Sequence, residues 1–137
     1  MIVLDGKRCV GCQACVAACR QAQAITDGVK PLSIGRGHRN GRYLYHITVC
    51  RHCPDPGCAQ ACPQEAFTVR SGVVFLDGSL CTGCGLCAGA CPYGAVEVGE
   101  RAAKCNLCAG GPGEPACVRT CPTGALAVGG EGKAEWE

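Results

Sequence analysis

Large aromatic side chains are scarce in this sequence: Phe, Trp and Tyr make up only 4% of its 137 residues. A chain of this length has the size of one domain, and such a domain normally rests on a core of large apolar side chains. With so few of them, hydrophobic burial alone does not explain a stable fold. Cross-links have to add to the stability of the fold, and sixteen cysteines are available to form them.

Long apolar runs are also absent. The longest, such as residues 73–76, span a few residues, whereas about 20 are needed to cross a bilayer, so no direct membrane span is expected. Residues 1–6 show no charged segment followed by an apolar stretch, so the predicted location is cytoplasmic. Because disulfides belong to oxidising compartments, a disulfide-stapled fold is disfavoured. Export of the folded chain beside a partner that carries a signal stays open.

A strong charge of one sign is missing too. Thirteen basic and eleven acidic residues give a net charge of +2, which does not resemble a nucleic-acid binder. No Ser-His-Asp set, P-loop or G-x-G-x-x-G dinucleotide site is visible, so no catalytic residues are predicted. What remains for the cysteines is metal binding.

The cysteines form four motifs of four, with none left over. In chain order the motifs are Cys9, Cys12, Cys15, Cys19; Cys50, Cys53, Cys58, Cys62; Cys81, Cys84, Cys87, Cys91; and Cys105, Cys108, Cys117, Cys121. The third has the C-x2-C-x2-C-x3-C-P spacing of bacterial ferredoxins, and the first differs in having Arg20 in place of the proline. The second and fourth widen the middle gap but keep the opening C-x2-C and the closing C-x3-C.

This spacing suits an iron–sulfur cubane. Three cysteines of one short loop bind three corners of the cage. The fourth corner is bound by the last cysteine of another motif, which lies on a short helix that ends at the following proline. Four loop glycines let the backbone pass close to a cluster, namely Gly11, Gly57, Gly83 and Gly85. Structural zinc is the main alternative, but zinc needs two cysteine pairs per site rather than a triplet with a distant fourth ligand. The predicted cofactors are therefore four 4Fe-4S clusters.

The segment between the second and third motifs indicates which motifs pair. Apolar residues alternate around Ser71-Gly72, which predicts a β-hairpin, the link expected between the halves of a two-cluster ferredoxin. The first and fourth motifs must then complete each other, so the pairing is nested. The predicted ligands are Cys9, Cys12, Cys15 and Cys121 (set 1); Cys19, Cys105, Cys108 and Cys117 (set 2); Cys50, Cys53, Cys58 and Cys91 (set 3); and Cys62, Cys81, Cys84 and Cys87 (set 4). The alternative is sequential pairing, in which Cys19 completes the second motif and Cys62 the first.

Repeats around the motifs complete the fold prediction. Pro-x-x-Ala-apolar-x-Val follows three of the closing cysteines, and an apolar stretch with Asp-Gly precedes Cys9 and Cys81. Each motif is thus predicted as a strand, a cluster loop, a helical turn and another strand. The predicted class is α+β, with two bacterial-ferredoxin-like units in one compact domain over residues 1–137. One unit covers about 1–27 plus 92–128 and the other about 43–91, with a basic insertion at 28–42 and a polar tail at 129–137. Because such short strands are marginal alone, the chain is expected to fold poorly without metal.

Together the motifs resemble a known family over nearly the whole chain. C-V-G-C-Q-A-C-V-A-A-C, V-C-R-H-C-P-D-P-G-C-A-Q-A-C-P, C-T-G-C-G-L-C-A-G-A-C-P-Y-G-A and K-C-N-L-C are similar to the four-cluster iron–sulfur subunits of the dimethyl-sulfoxide-reductase type. That group includes electron-transfer subunits of formate dehydrogenases, carbon monoxide dehydrogenases, formate-linked hydrogenases and tungsten aldehyde oxidoreductases. The compact length is similar to the small subunit of the last of these. The resemblance also implies nested pairing, and the presence of all sixteen ligands favours four cubanes over a three-iron variant.

The resemblance implies a non-catalytic subunit that carries electrons between a molybdenum or tungsten active site, or that of a carbon monoxide dehydrogenase or hydrogenase, and a further redox partner. A free-standing polyferredoxin that shuttles between enzymes is the alternative. An oxidised cubane with four thiolates carries about −2, so four of them would bring the net charge of the protein to about −6.

Four features outside the motifs leave alternatives open. Residues 28–52 hold five basic residues, three histidines and no acid, and either offset cluster charge, dock an acidic partner face or form a solvated insertion loop. Lys104 either tunes a neighbouring cluster or is simply exposed. His52 is a conceivable iron ligand, as in Rieske centres, but is disfavoured because the cysteines already balance. Trp136 either anchors a partner or is disordered.

Overall fold

The computed structural model describes residues 1–109, 111 and 113–129. Trp136 and the rest of the predicted tail from residue 130 lie outside the described residues. The described part contains four helices, which are α1 (Ala14–Ala22), α2 (Gly57–Ala61), α3 (Leu86–Ala90) and α4 (Ala116–Thr120). It also contains eight strands, which are β1 (Ile2–Leu4), β2 (Leu32–Arg39), β3 (Arg42–Val49), β4 (Phe67–Arg70), β5 (Val73–Leu76), β6 (Glu97–Val98), β7 (Ala102–Ala103) and β8 (Leu126–Val128). The predicted mixture of short helices and strands is confirmed.

Each strand pairs with one other strand, so the described part of the chain holds four separate two-stranded antiparallel sheets. The pairs are β1 with β8, β2 with β3, β4 with β5, and β6 with β7. The predicted hairpin between the second and third motifs is confirmed as β4–β5, and it turns at Ser71-Gly72, where both residues have positive φ. Two-stranded sheets are weak by themselves, so their stability has to come from what lies between them.

Strand β1 and strand β8 bring the two ends of the described chain together. Ile2 lies opposite Val128 and Leu4 lies opposite Leu126. Beyond the strand, the Met1 amino group donates to the Gly129 carbonyl at 3.0 Å, and the Gly129 N–H donates back to the Met1 carbonyl at 2.8 Å. Helix α1 also packs against α4, and α2 against α3. The elements of the first and fourth motifs are therefore neighbours, and so are those of the second and third.

Proline sets the length of three of the helices. Helices α2, α3 and α4 each end one residue before the closing cysteine, and those cysteines, Cys62, Cys91 and Cys121, have extended backbones with ψ of 114°, 115° and 114°. A following proline disfavours the helical conformation at the residue before it, which explains the common stop. The first motif has Arg20 instead, and α1 continues past Cys19 to Ala22. One substitution in the repeat thus gives one helix almost twice the length of the others.

The basic stretch forms a long hairpin. Strands β2 and β3 pair from Leu32 opposite Val49 to Arg39 opposite Arg42, around a turn at Asn40-Gly41. The loop interpretation of this stretch is therefore wrong for its strands, because alternating residues such as Ile34 and Ile47 pack against the core. The predicted boundary at residue 43 lies beside the turn, so the hairpin joins the predicted insertion to the predicted second unit.

Cysteine replaces large side chains in the core. The main apolar cluster of the described residues has eleven buried members, and five of them are cysteines: Cys15, Cys19, Cys50, Cys105 and Cys117. The other members include Ile2, Leu32, Val49 and Leu126, which come from β1, β2, β3 and β8. Four strands from two sheets thus converge on a core built around sulfur. No helix in the described ranges is long and apolar enough to cross a membrane.

Candidate metal centres

All four motifs open with the same turn. The N–H of the residue two positions after the first cysteine donates to that cysteine's Sγ at 3.4 Å in every case, and the pairs are Gly11 to Cys9, His52 to Cys50, Gly83 to Cys81, and Leu107 to Cys105. The donor residue has a positive φ each time, at 73°, 49°, 75° and 56°. Left-handed backbone at this point turns the following cysteines back toward the first one. The common geometry shows that the widened motifs use the same opening as the regular ones.

Two of these turns require glycine for reasons of space as well as conformation. A Cβ on Gly83 would lie 2.4 Å from the Glu100 carbonyl oxygen, and one on Gly11 would lie 2.5 Å from the Tyr45 ring. Gly85 has open space around it and needs glycine only for its φ of 83° at the start of α3. The structure thus gives Gly11 and Gly83 a packing role that the spacing alone does not reveal.

A second set of N–H donors meets the closing cysteines. Within the Pro-x-x-Ala repeat, Ala66 N–H donates to Cys62 Sγ at 3.5 Å and Ala125 N–H donates to Cys121 Sγ at 3.3 Å. Burial is the largest single influence and raises the pKa of Cys121, but the hydrogen bonds of Thr123 and Ala125 together outweigh it, so this pKa lies below its usual value. Donors that stabilise a thiolate also favour its binding to iron.

The first and fourth motifs place their cysteines within electrostatic range of one another. Burial, followed by the nearby thiolates of Cys105, Cys117 and Cys108, raises the pKa of Cys19 to about 12. Cys117 has its pKa raised to about 12 as well, by burial and then by Cys105 and Cys108. Repulsion between thiolates weakens with distance, so these mutual effects place the four sulfurs in the same region of the fold. Such thiols lose their protons when a metal supplies the compensating charge.

The other sets show the same convergence. The pKa of Cys15 is raised by burial and then by Cys9 and Cys12, and that of Cys87 is raised by burial and then by Cys81 and Cys84. Cys58 has its pKa raised by burial and then by Cys50, with Cys91 also contributing. One cleft is lined by Cys9, Cys12, Cys15 and Cys121 together.

These sulfurs fit a cage better than a single ion. Among residues 1–109, 111 and 113–129, no three Cys, His, Asp or Glu side chains are close enough to share one metal ion. A tetrahedral zinc site with Zn–S bonds of about 2.3 Å needs its ligands that close. Sulfurs that converge but remain apart suit a cluster bound by one thiolate at each corner.

Exposure divides the sets into two classes. Cys12 of set 1 and Cys84 of set 4 are exposed, whereas set 2 has three buried cysteines, Cys19, Cys105 and Cys117. In set 3, Cys50 and Cys58 are buried and the other two are half-buried. We call the predicted sets 2 and 3, which have no exposed cysteine, central, and the predicted sets 1 and 4, which have one each, terminal.

Comparison with known proteins assigns the family. A family model described as a 4Fe-4S dicluster domain matches residues 42–131, about two thirds of the chain, and a 4Fe-4S binding domain model matches residues 7–22. This chain belongs to the 4Fe-4S dicluster family. Its short strands, helices and cysteine loops are those of a ferredoxin-like fold, and both matched models describe 4Fe-4S domains.

Several curated relatives of the dicluster chain are similar over most of its length. An uncharacterized ferredoxin of Methanocaldococcus jannaschii is 38% identical over 88% of the chain and 66% of the relative. A tetrathionate reductase subunit of Archaeoglobus fulgidus is 41% identical over 77% of the chain and 53% of the relative. The iron-sulfur subunit of the nitrate-inducible formate dehydrogenase of Escherichia coli is 32% identical over 93% and 53%. The chain therefore spans about half to two thirds of the length of these relatives.

Two buried polar residues of the dicluster chain meet at Val74. Lys104 Nζ donates to the Val74 carbonyl and, at 2.8 Å, to the Cys105 carbonyl, while the Val74 N–H donates to His52 Nδ1 at 3.0 Å. The interpretation of Lys104 as an exposed lysine is therefore wrong, since it is only 3% exposed. Burial and the nearby Lys104 lower the pKa of His52 to about 4, so its ring is neutral at pH 7.

The hydrogen bond from Val74 also argues against His52 as an iron ligand. Because Nδ1 accepts this bond, the ring hydrogen is on Nε2, and neither nitrogen has a free lone pair for a metal. Nε2 is buried and has no hydrogen-bond partner among the described residues. His52 thus belongs to the support of the site rather than to its ligands.

Two other supporting residues are not apparent from the sequence. Gln23 Nε2 donates to the Lys104 carbonyl at 3.1 Å and approaches Cys19 Sγ at 3.9 Å, which links the first motif to the fourth. Leu107 takes the turn position that glycine holds in the first and third motifs. Leu107 could have been found from the sequence by its position two residues after Cys105. The position of Gln23 could not, because it depends on the longer helix that Arg20 permits.

Proposed function

We propose that the chain is the electron-transfer subunit of a larger oxidoreductase and relays single electrons through four 4Fe-4S clusters. The observation that carries this proposal is the arrangement of sixteen cysteines in four sets, two of them with no exposed cysteine and two with one exposed cysteine each. Bound clusters would each accept and release one electron. No catalytic side chains are assigned, so the chain's own chemistry is confined to holding that cofactor.

The proposed ligands follow nested pairing. Contact between α1 and α4 and between α2 and α3 supports it, as does the shared cleft of Cys9, Cys12, Cys15 and Cys121. The pKa effects of Cys105, Cys117 and Cys108 on Cys19 support the assignment of these four to set 2. The charge of Cys91 raises the pKa of Cys58, which supports set 3. The charges of Cys81 and Cys84 raise the pKa of Cys87, and Cys62 is assigned with these three to set 4 by elimination.

The four sets form a row in the proposed order 1, 2, 3, 4. The negative charge of Cys15 in set 1 raises the pKa of both Cys19 and Cys117 in set 2. The charge of Cys50 in set 3 likewise raises the pKa of Cys105 in set 2, and both residues lie in the main core cluster. The second core cluster joins Cys58 of set 3 to Cys87 of set 4. A row of this kind carries an electron from one exposed end to the other through a dry interior.

Backbone N–H groups do most of the chain's work in this function. Each opening turn aims one N–H at a cysteine sulfur, and Ala66, Ala125 and Ala102 supply further donors, the last to Cys81 Sγ at 3.3 Å. Such donors stabilise the negative charge that an added electron brings and hold the thiolates in place. Burial of sets 2 and 3 excludes water from the middle of the row.

The two ends differ in their surroundings, which supports two different contact surfaces. At the set 1 end, Gly11 lies against Tyr45 of the β2–β3 hairpin, and the exposed tip of that hairpin carries Arg36 stacked 4.6 Å from the Tyr43 ring centroid. At the set 4 end, Gly83 lies against Glu100, and Leu80 and Leu86 are exposed. We assign the basic end to an acidic partner face.

The catalytic partner is proposed to be a molybdenum or tungsten enzyme. The relatives that are named as subunits of a formate dehydrogenase and of a tetrathionate reductase support a subunit role. The family resemblance also implies a carbon monoxide dehydrogenase or a hydrogenase as a class of partner.

Anaerobic purification from native expression tests the proposal. We expect about sixteen irons and as many sulfides per chain, together with a tightly bound large subunit that contains molybdenum or tungsten. Stoichiometric zinc in place of iron would overturn the cofactor. A fully loaded monomer that reduces several enzymes would instead make the chain a free-standing polyferredoxin carrier.

A further inference from the structure

Lys104 is a buried cation that the polypeptide does not neutralise. Its ammonium group is held by two backbone carbonyls, those of Val74 and Cys105, and no carboxylate among the described residues pairs with it. Burying an unpaired charge is costly, so a buried lysine normally has a negative partner. The negative charge available nearby is that of the proposed clusters and their thiolates.

The position of Lys104 relates it to both central sets. It directly precedes Cys105 of set 2, and Val74 connects it to His52, which lies between Cys50 and Cys53 of set 3. Its charge lowers the pKa of Cys58 and of Cys105 against the larger effect of burial. Lys104 is therefore a buried cation beside cysteines of sets 2 and 3.

We propose that Lys104 is a tuning residue whose fixed positive charge raises the reduction potentials of the two central clusters relative to the two terminal ones. This inference rests on the proposed function, because it needs clusters at sets 2 and 3. A nearby cation stabilises the reduced form more than the oxidised form, since reduction adds one negative charge. One electron enters from the reductant, no bond is made or broken, and Lys104 keeps its proton.

As a consequence, the two central clusters of the row are reduced before the two terminal ones. Electrons that enter at an exposed end settle on the buried central sets, where water and oxidants have least access. His52 adds no charge there, because its Nδ1 accepts the Val74 N–H and so carries no proton. The carbonyls of Val74 and Cys105 fix the ammonium group, so that little reorganisation accompanies each transfer.

The test is an anaerobic redox titration of the full-length, iron-loaded chain followed by electron paramagnetic resonance. In Lys104→Met the two central clusters should show about a tenfold lower ratio of reduced to oxidised form at a fixed potential, equal to about 59 mV for a one-electron couple. The two terminal clusters should keep their potentials. Lys104→Arg keeps the charge and should restore the central potentials. Lys30→Met, the same change at an exposed lysine, should alter none of the four.

Several results would overturn the inference. Unchanged potentials in a fully loaded Lys104→Met protein would do so, and so would an equal shift of all four clusters. If Lys104→Met and Lys104→Gln both lose the central clusters and Lys104→Arg loses them too, the residue is structural and the tuning role is wrong. Failure of the proposed function is seen separately, since the wild-type chain would then lack iron or show fewer than four reducible clusters.

Discussion

The regular motifs and the widened motifs differ in what they build, although they open with the same turn. The first and third motifs have two residues in the middle gap, enter their helices through left-handed Gln13 and Gly85, and leave Cys12 and Cys84 exposed. In the second and fourth motifs the gap is longer, the helices begin after Pro56 and Pro115, and the corresponding cysteines are half-buried. In the proposed row, the regular loops therefore lie at the ends and the widened loops in the middle.

The motifs with extra residues in the middle gap are therefore the ones whose second cysteine is less exposed. A left-handed residue at the helix start places the buried Cys15 and Cys87 only three residues after the exposed Cys12 and Cys84. Replacing it with a longer loop that ends in an extended proline moves the start of the helix away from the opening turn, while Cys58 and Cys117 on those helices stay buried. Under the proposed pairing, motif spacing thus indicates the position of a cluster in the row as well as its presence.

Removal of iron should have the largest effect. Because the sheets are two-stranded and the core is built around cysteine, complete chelation should abolish protease resistance and most of the helical circular dichroism. Under limiting chelator, iron should leave in two phases, with the terminal sets first and unfolding accompanying the second. Release in a single phase would erase the distinction between terminal and central sets.

Cysteine variants sharpen the same comparison. Cys19→Ala should cost a central cluster and strongly reduce the yield of folded protein, whereas Cys12→Ala, at the surface, should leave the chain folded with at most one altered cluster. Iron content and reduced-state spectra measure both.

The same variants separate nested from sequential pairing. Nested pairing predicts that Cys19→Ala and Cys105→Ala lose the same spectroscopic signal. If Cys19→Ala instead matches Cys50→Ala, the pairing is sequential and sets 2 and 3 need to be reassigned.

Glycine substitutions have an intermediate effect. Gly83→Ala combines left-handed strain with a 2.4 Å approach to the Glu100 carbonyl, so we expect a loss of about 3 kcal/mol and faster bleaching on heating. Gly72→Ala has a similar φ with nothing within 4 Å and should cost about 1 kcal/mol. Equal bleaching rates for the two variants would mean that the contact at set 4 has no structural importance.

Charge changes at the hairpin tip should have the smallest effect on stability. Replacing Arg36, Arg39 and Arg42 with Gln should change the free energy of unfolding by less than about 0.5 kcal/mol, because these side chains are exposed. At low salt the reduced protein should react several-fold more slowly with anionic ferricyanide and somewhat faster with cationic hexaamminecobalt(III), and high salt should remove both differences. An unchanged rate with both reagents would show that electrons do not leave at the basic end.

Much of the fold can be predicted because each cysteine motif marks one copy of the repeated strand, loop, helix and strand. The β4–β5 hairpin, the three short helices and the neighbouring first and fourth motifs follow from periodicity and from proline. The β2–β3 hairpin is predicted only as an insertion, because its exposed half is basic and glycine-rich, which is also typical of a loop. Its pairing depends on contacts of Leu32 and Val49 with a core that no local pattern reveals.

The candidate site divides in the same way. Cysteine positions are local and can be predicted, while their neighbours across the fold cannot. In the sequence Lys104 is visible only as a residue beside Cys105, and its burial depends on the Val74 carbonyl thirty residues earlier in the chain. His52 is a conceivable ligand by sequence alone, because adjacency to a cysteine does not show which way a ring nitrogen points.

The pairing of β1 with β8 has a consequence in time. During synthesis β1 leaves the ribosome long before its partner strand, so Ile2–Leu4 remain without a neighbouring strand until Leu126–Val128 emerge. The second and third motifs, joined by their hairpin, become available in one continuous stretch. Under nested pairing the inner unit can be loaded with iron while translation continues, whereas Cys9, Cys12 and Cys15 wait for Cys121. A nascent chain halted after the third motif would therefore hold a closed inner half and an open outer one.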